Sequence, residues 1–309
     1  MHTVCAEVNH RAGVQLYTLR ALDESVPALI TRVGEHGFDG VEFASRLPDA
    51  SIDDVREALT RSDLAPIGIH VGLDELRTDR SRLVSMATAV GAPRLVVPHI
   101  SIREFRTQRQ IDELGAELAD IAWALDEQAL SLAIHTTREQ LLPYVGLPGL
   151  TRLLSREGMP TGAYTHLAWA ASRPVARTHA SLRERTPLGQ LSVRTSNAPV
   201  SFELDVKSAV SAGYDVGEVL DVLDGRVPLV HISDVVRSRV FPPDYAPVTP
   251  DTGMVDVEAT LAAIEHSDVD WVVYEHDDPD DPVSVLHTLG ELATRHRRAD
   301  RGRPRARED

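Results

Sequence analysis

The chain has 309 residues, 42% of them hydrophobic, with a formal charge of −15 and one cysteine, Cys5. That length supports a large core, as one α/β barrel or as two domains; the acidity disfavours nucleic acid and anionic membranes as partners, and a lone cysteine excludes an internal disulfide or a thiolate zinc site. No apolar run near the start reads as a secretory leader and none approaches the ~20 residues that cross a bilayer, so a soluble cytoplasmic protein is expected.

GVQLYTL (13–19) is the first β-rich run, and a helix follows with Val26, Leu29, Ile30 and Val33 at helical spacing, stopped by Gly37. DGVEF (39–43) reads as the second strand, and Ser51 as N-cap of a helix over 51–62. APIGIHVG (65–72), a helix around 75–90, PRLVVPHI (93–100), a helix over 104–127 and LSLAIHTT (130–137) continue the alternation. Region 140–198 breaks it, with many arginines, few acids, no clear strand and helical patches at 148–156 and 175–185. VSFELDV (200–206), a helical stretch through 207–223, VPLVHISDV (227–235), a proline-rich loop at 241–250, a helix capped by Asp256, WVVYEHD (271–277) and a closing helix over 282–296 complete the chain. Alternating strands and helices demand a parallel sheet with right-handed crossovers. Eight such units fit a closed (β/α)8 TIM barrel over 1–294, with 140–198 as an irregular insertion. The basic tail 295–309 is expected to be disordered, and no G-x-G-x-x-G follows the first strand.

Polar residues gather at the strand ends, where such barrels place their chemistry. Glu42, His70, His99 and His135 close strands two to five; Glu203 and Asp205 share one face of strand six; His231 and Glu275 stand on strands seven and eight. Buried carboxylates need partners, and a structural ion-pair network, a protonated acid and a metal all satisfy that need. Asp205, His231 and Glu275 are expected to converge, a donor set suited to Mn, Mg, Co or Zn, with Glu203 one layer deeper.

GVQLYTLR (13–20), GFDGVEF (37–43), GIHVGL (68–73), FELDV (202–206), GRVPLVHISD (225–234), GMVD (253–256) and VVYEHD (272–277) together resemble the sugar phosphate isomerase/epimerase family with the xylose isomerase-like barrel. The resemblance implies a divalent metal ion held by residues of strands five to eight: Asp205, His231, Glu275 and, from strand five, Glu139. In place of an H-N-H-x-x-E-F pattern this chain has H-T-T-R-E-Q (135–140); Ser208 and Ser233 stand where the family often has other residues. It further implies isomerisation or epimerisation of a sugar, sugar phosphate or keto-sugar through an enediolate, with Glu275 and His135 moving protons. Glu42, His70, His99, Glu203 and Lys207 are expected to line the pocket.

Expelling a β-hydroxyl after the same proton removal would make the enzyme a dehydratase of a keto-inositol or keto-sugar. Three rivals remain: an imine-forming aldolase using Lys207, the only lysine; a DNA-repair endonuclease; and a non-catalytic sugar-binding barrel. The arginines of 140–198 suit an anionic substrate, a second subunit in a homo-oligomer, or simple pairing with the acidic surface.

Overall fold

The computed structural model describes residues 10–44, 47, 50–143, 161–238, 244–265 and 267–302. In chain order the strands are β1 (Arg11–Gln15), β2 (Gly40–Phe43), β3 (Ala65–His70), β4 (Arg94–Val97), β5 (Ser131–His135), β6 (Val200–Asp205), β7 (Leu229–Ile232), β8 (Asp234–Arg237), β9 (Tyr245–Val248) and β10 (Trp271–Tyr274). Eight of them, β1 to β7 and β10, close into one parallel barrel in which β10 pairs with both β7 and β1. The architecture is the (β/α)8 barrel.

Most of the core lies between the barrel and its helices. The helix Gln108–Asp126 buries Ile111, Leu114, Leu118, Ile121 and Leu125 on the stripe that the sequence spacing predicts, each worth about 1.5–3 kcal/mol. Thr107 caps it, accepting from the Gln110 amide while the Gln110 side chain accepts from the Thr107 amide. Ser51 and Asp256 act as the expected N-caps. A smaller cluster fills the barrel itself: Ile67, Val96, Ala133, Leu229, Trp271 and Val273. Gly13 and Gly40 make room for it. A Cβ on Gly40 would lie 2.6 Å from the Trp271 ring and 2.7 Å from the Ala65 carbonyl oxygen.

Several boundaries differ from the sequence reading. The first strand runs from Arg11 to Gln15, and Leu16–Leu19, expected in it, is a 3-10 turn that buries Leu16, Thr18 and Leu19. The stretch 207–223 is two helices, Val206–Ala212 and Val216–Leu223, separated by Gly213 at φ +90° and restarted by the Asp215 capping box. The seventh strand stops at Ile232, and the loop expected at 241–250 contains β9, which pairs antiparallel with β8 beside the barrel. The closing helix runs from Pro282 to Gly302, so residues 295–302 of the expected disordered tail are helical; Arg297 donates to Asp39 at 2.8 Å and His296 meets the Tyr274 hydroxyl at 2.7 Å. Residues 303–309 lie outside the described residues.

In region 140–198 the described residues include three helices, Thr161–Ser172, His179–Arg185 and Pro187–Arg194, and the patch at 148–156 lies outside the described residues. Arg177 donates to the Ala212, Ser172 and Val175 carbonyls, Arg194 pairs with Asp112, and Arg173 lies over the Trp169 ring. These three arginines therefore hold the insertion together and to the barrel's helices. No helix among the described residues is long and apolar enough to cross a membrane.

Candidate functional site

Strand register decides which side chains meet. Glu203 is level with His135 across the β5–β6 pair, and Asp205 is level with His231 across β6–β7. Alternation turns Glu203 and Asp205 inward at successive heights, so the site has two layers.

The deeper layer joins three histidines to two glutamates. His135 Nδ1 is 2.7 Å and His70 Nε2 3.1 Å from Glu203 Oε2. Glu42 Oε2 lies 3.2 Å from His70 Nε2 and accepts from Gln15 Nε2 at 3.0 Å. His231 Nε2 is 2.9 Å from Glu42 Oε2 and 3.0 Å from Glu203 Oε1, yet the angles make neither contact a hydrogen bond, and His231 Nε2, Glu203 Oε1 and Glu42 Oε1 are buried without a hydrogen-bond partner. Below them Arg94, nearly buried, has Nε and Nη1 likewise unpartnered.

Burial alone would lower the His70 pKa, but Glu42 and Glu203 outweigh it and push it up to about 10. His231 is raised well above its ordinary value by the same balance, burial opposed by Glu203 and Glu42. Burial pushes the Glu203 carboxyl up, and His231 and His70 hold it well below the ordinary range. Without a bound ion this layer is a buried imidazolium–carboxylate network.

The upper layer centres on Asp205, Glu275, Asp277 and Lys207. Ser208 Oγ donates to Asp205 Oδ2 at 2.6 Å, Ser233 Oγ donates to Oδ1, and Thr136 Oγ1 accepts from the Asp205 amide at 2.9 Å. Glu275 Oε2 is 2.6 Å from His231 Nδ1. Lys207 Nζ reaches Asp277 Oδ2 at 2.8 Å and stands 3.6 Å from Asp205 Oδ2 and Glu275 Oε1. Burial would lower the Lys207 pKa; Asp205, Glu275 and Asp277 outweigh it and raise it. A lysine held in this way keeps its proton, which argues against the imine-forming rival. Burial pushes the Glu275 carboxyl up and Lys207 and His231 pull it well below the ordinary range, while burial and the neighbouring Glu275 push Asp277 up to about 6.

Donor chemistry in the deeper layer fits a divalent ion. One ligand atom each from His70, His135, Glu203 and His231 lie within 4.8 Å of one another. The Glu275 contact at His231 Nδ1 leaves Nε2 as the free nitrogen, the carboxylate–histidine arrangement that orients metal ligands. Of the four ligands implied by the family resemblance, only His231 belongs to this group. Asp205 and Glu275 stand one layer above, around Lys207; Glu139 lies in the short helix Arg138–Leu141 and makes none of the described contacts of the cluster. Of the residues expected in the pocket, Glu42, His70 and Glu203 meet in the deeper layer and Lys207 stands in the upper one; His99 is exposed beyond β4 and joins neither. Gln15, Asp277 and the two serines complete the site unforeseen; Ser208 at i+3 from Asp205 and Ser233 two residues after His231 were the available signals.

Asp234, just past β7, is structural. Its carboxylate, 1% exposed, accepts from the amides of Val235, Thr252, Gly253 and Val255, which explains the G-M-V-D stretch as the segment it clamps.

No family model matches the sequence, and no curated protein matches it. Solved structures do. A sugar phosphate isomerase/epimerase from Parabacteroides distasonis aligns with TM-score 0.67 at 14% identity, covering 94% of this chain and 97% of that one. AsbF from Bacillus anthracis, a probable 3-DHS dehydratase, aligns with TM-score 0.66 at 11% identity over 92% and 98%. The IolI protein, with a zinc atom bound, aligns with TM-score 0.61 at 16% identity over 94% and 97%. The fold shared with these proteins is the xylose isomerase-like (β/α)8 barrel.

Proposed function

We propose that this chain is a divalent metal-dependent isomerase or epimerase acting on a sugar, sugar phosphate or keto-sugar. The observation that carries the reading is the buried group of His70, His135, Glu203 and His231, with partnerless donor atoms on Glu203 and His231, directly beneath charged groups able to move protons. These four residues would hold the ion. When bound, it would supply Lewis acidity to a carbonyl oxygen and the hydroxyl beside it, acidifying the intervening C–H. Glu275, kept ionised by Lys207 and His231, is the base that takes that proton. Asp277, more readily protonated, supplies one in return. Lys207 presents positive charge toward the substrate side, where its side chain is 16% exposed. Asp205, locked by two serine hydroxyls, orients Lys207 and lies 4.0 Å from His135 Nε2.

The likeness to enzymes of this fold, an isomerase/epimerase and a probable dehydratase among them, supports catalysis on a small polar substrate. Elemental analysis of wild type beside His231→Ala tests the metal. About one equivalent of Mn, Co, Zn or Mg in the wild type, lost from a folded variant, is expected; no metal in either after soaking would sink the reading. Incubating candidate ketoses and keto-inositols in D2O and following them by NMR then separates the reactions: isomers or epimers deuterated beside the carbonyl are expected, whereas loss of water would identify a dehydratase.

A further inference from the structure

Three carboxylates, Asp205 from the end of β6 and Glu275 and Asp277 from beyond β10, surround one ammonium. They cannot easily turn away from it. Asp205 is fixed by Ser208 and Ser233, and Glu275 by His231. Three buried or half-buried carboxylates facing one another need a cation between them, and a divalent ion is the usual occupant of such a nest. Here the chain supplies its own: Lys207, in the first turn of the helix Val206–Ala212 and the only lysine of the protein. Its Nζ has three N–H groups, and only Asp277 lies within hydrogen-bond distance of it among these carboxylates; the other two stand at 3.6 Å.

We propose that Lys207 is a tethered cation that takes the place of a divalent ion among Asp205, Glu275 and Asp277, and that its unused N–H groups receive a substrate oxygen that gains negative charge during proton removal. The second half rests on the function proposed above; the first half does not. The protein then has one ion site, in the deeper layer, and a lysine doing electrostatic work above it. Lys207 contributes as a donor to oxygen, with no covalent bond to substrate.

Lys207→Met removes the charge at similar length, and Lys207→Arg keeps it. Each is titrated with Co2+, following visible absorption, and bound cobalt is counted by elemental analysis after gel filtration. Wild type and Lys207→Arg are expected to bind one equivalent and Lys207→Met two, the added ion being held by the freed carboxylates. Glu203→Gln combined with Lys207→Met should lose the deeper ion and retain the new one. Equal cobalt in wild type and Lys207→Met overturns the proposal, whatever that number is. None in wild type with one in Lys207→Met would sink the metal reading of the deeper layer while upholding this one. Should Lys207→Met fold only with cobalt present, the ion has replaced the ammonium, as proposed. Should it not fold at all, Lys207→Met/Asp277→Asn is compared with Asp277→Asn alone: more cobalt in the pair supports the proposal, and the same amount overturns it.

Discussion

His70 faces two carboxylates and His231 three in a site largely shielded from water, and that makes stability a function of pH. A histidine whose folded pKa lies above its unfolded value stabilises fully below the unfolded value, near 6.5, and loses that contribution as pH rises through the folded one, about 10 for His70. His231 shifts in the same direction. Glu203 shifts the opposite way, so its contribution is present above the ordinary carboxylate range and is lost in acid. Metal-free protein is therefore expected to be most stable at mildly acidic pH and to lose thermal stability steadily from pH 6.5 towards 10. Thermal unfolding in chelator over that range checks this, and a flat profile above pH 7 would contradict the network. An ion in the deeper layer must displace these protons, so its affinity should rise with pH over the same window. At this scale the sequence was legible to a definite depth. Alternation gives the face of Glu203 and Asp205, and the ring of histidines follows from their common place at strand ends. It does not give height: only the stagger between strands sets Glu203 against His135 and Asp205 against His231. For that reason the expected donor set and the group of His70, His135, Glu203 and His231 share only His231.

The eight barrel strands were readable as elements because each is a short apolar run bounded by turn residues. The hairpin of β8 and β9 was not, since its burial pattern includes exposed residues on both strands and Pro247 interrupts the second. Beside the β8–β9 ladder and the Met254 amide bond to the Val235 carbonyl, one side chain rather than a periodic face holds this region in place. Asp234 binds the amides of Thr252, Gly253 and Val255 at 3.2, 2.6 and 2.9 Å, tying the segment after β9 back to the barrel. Charge-assisted bonds of this kind contribute about 1.5–3 kcal/mol each when the partner is otherwise left unpaired. Water can reach the exposed Thr252 and Gly253, so Asp234→Ala is expected to cost about 3 kcal/mol in total. Urea unfolding measures the loss, and limited proteolysis should show new cleavage within 249–256. A variant as stable as wild type and equally resistant would remove Asp234 from this role.

The closed barrel joins the first strand to the last, and the closing helix seals that seam from outside. Asp39 accepts from the Ala12 amide of β1 at 2.8 Å and from Arg297 at 2.8 Å, so the helix reaches the start of the barrel through one carboxylate. His296 lies 2.7 Å from the hydroxyl of Tyr274, a β10 side chain that is 1% exposed. Burial and then Arg295 push the His296 pKa down to about 4, which leaves a neutral ring able to accept from that hydroxyl. Composition alone misplaces this boundary: 295–309 is rich in arginine and poor in apolar residues, yet its first residues carry contacts made by arginine and histidine rather than by an apolar face. Deleting 295–309 should therefore cost more than trimming a disordered tail. It removes the Arg297 link to Asp39, worth little where exposed, and the hydrogen bond between His296 and the Tyr274 hydroxyl, worth about 0.5–1.5 kcal/mol. The expected result is a lower thermal midpoint for the protein lacking 295–309 than for the protein lacking 303–309 alone. If both deletions leave the midpoint at the wild-type value, the seal contributes nothing and the barrel closes by its β1–β10 ladder alone.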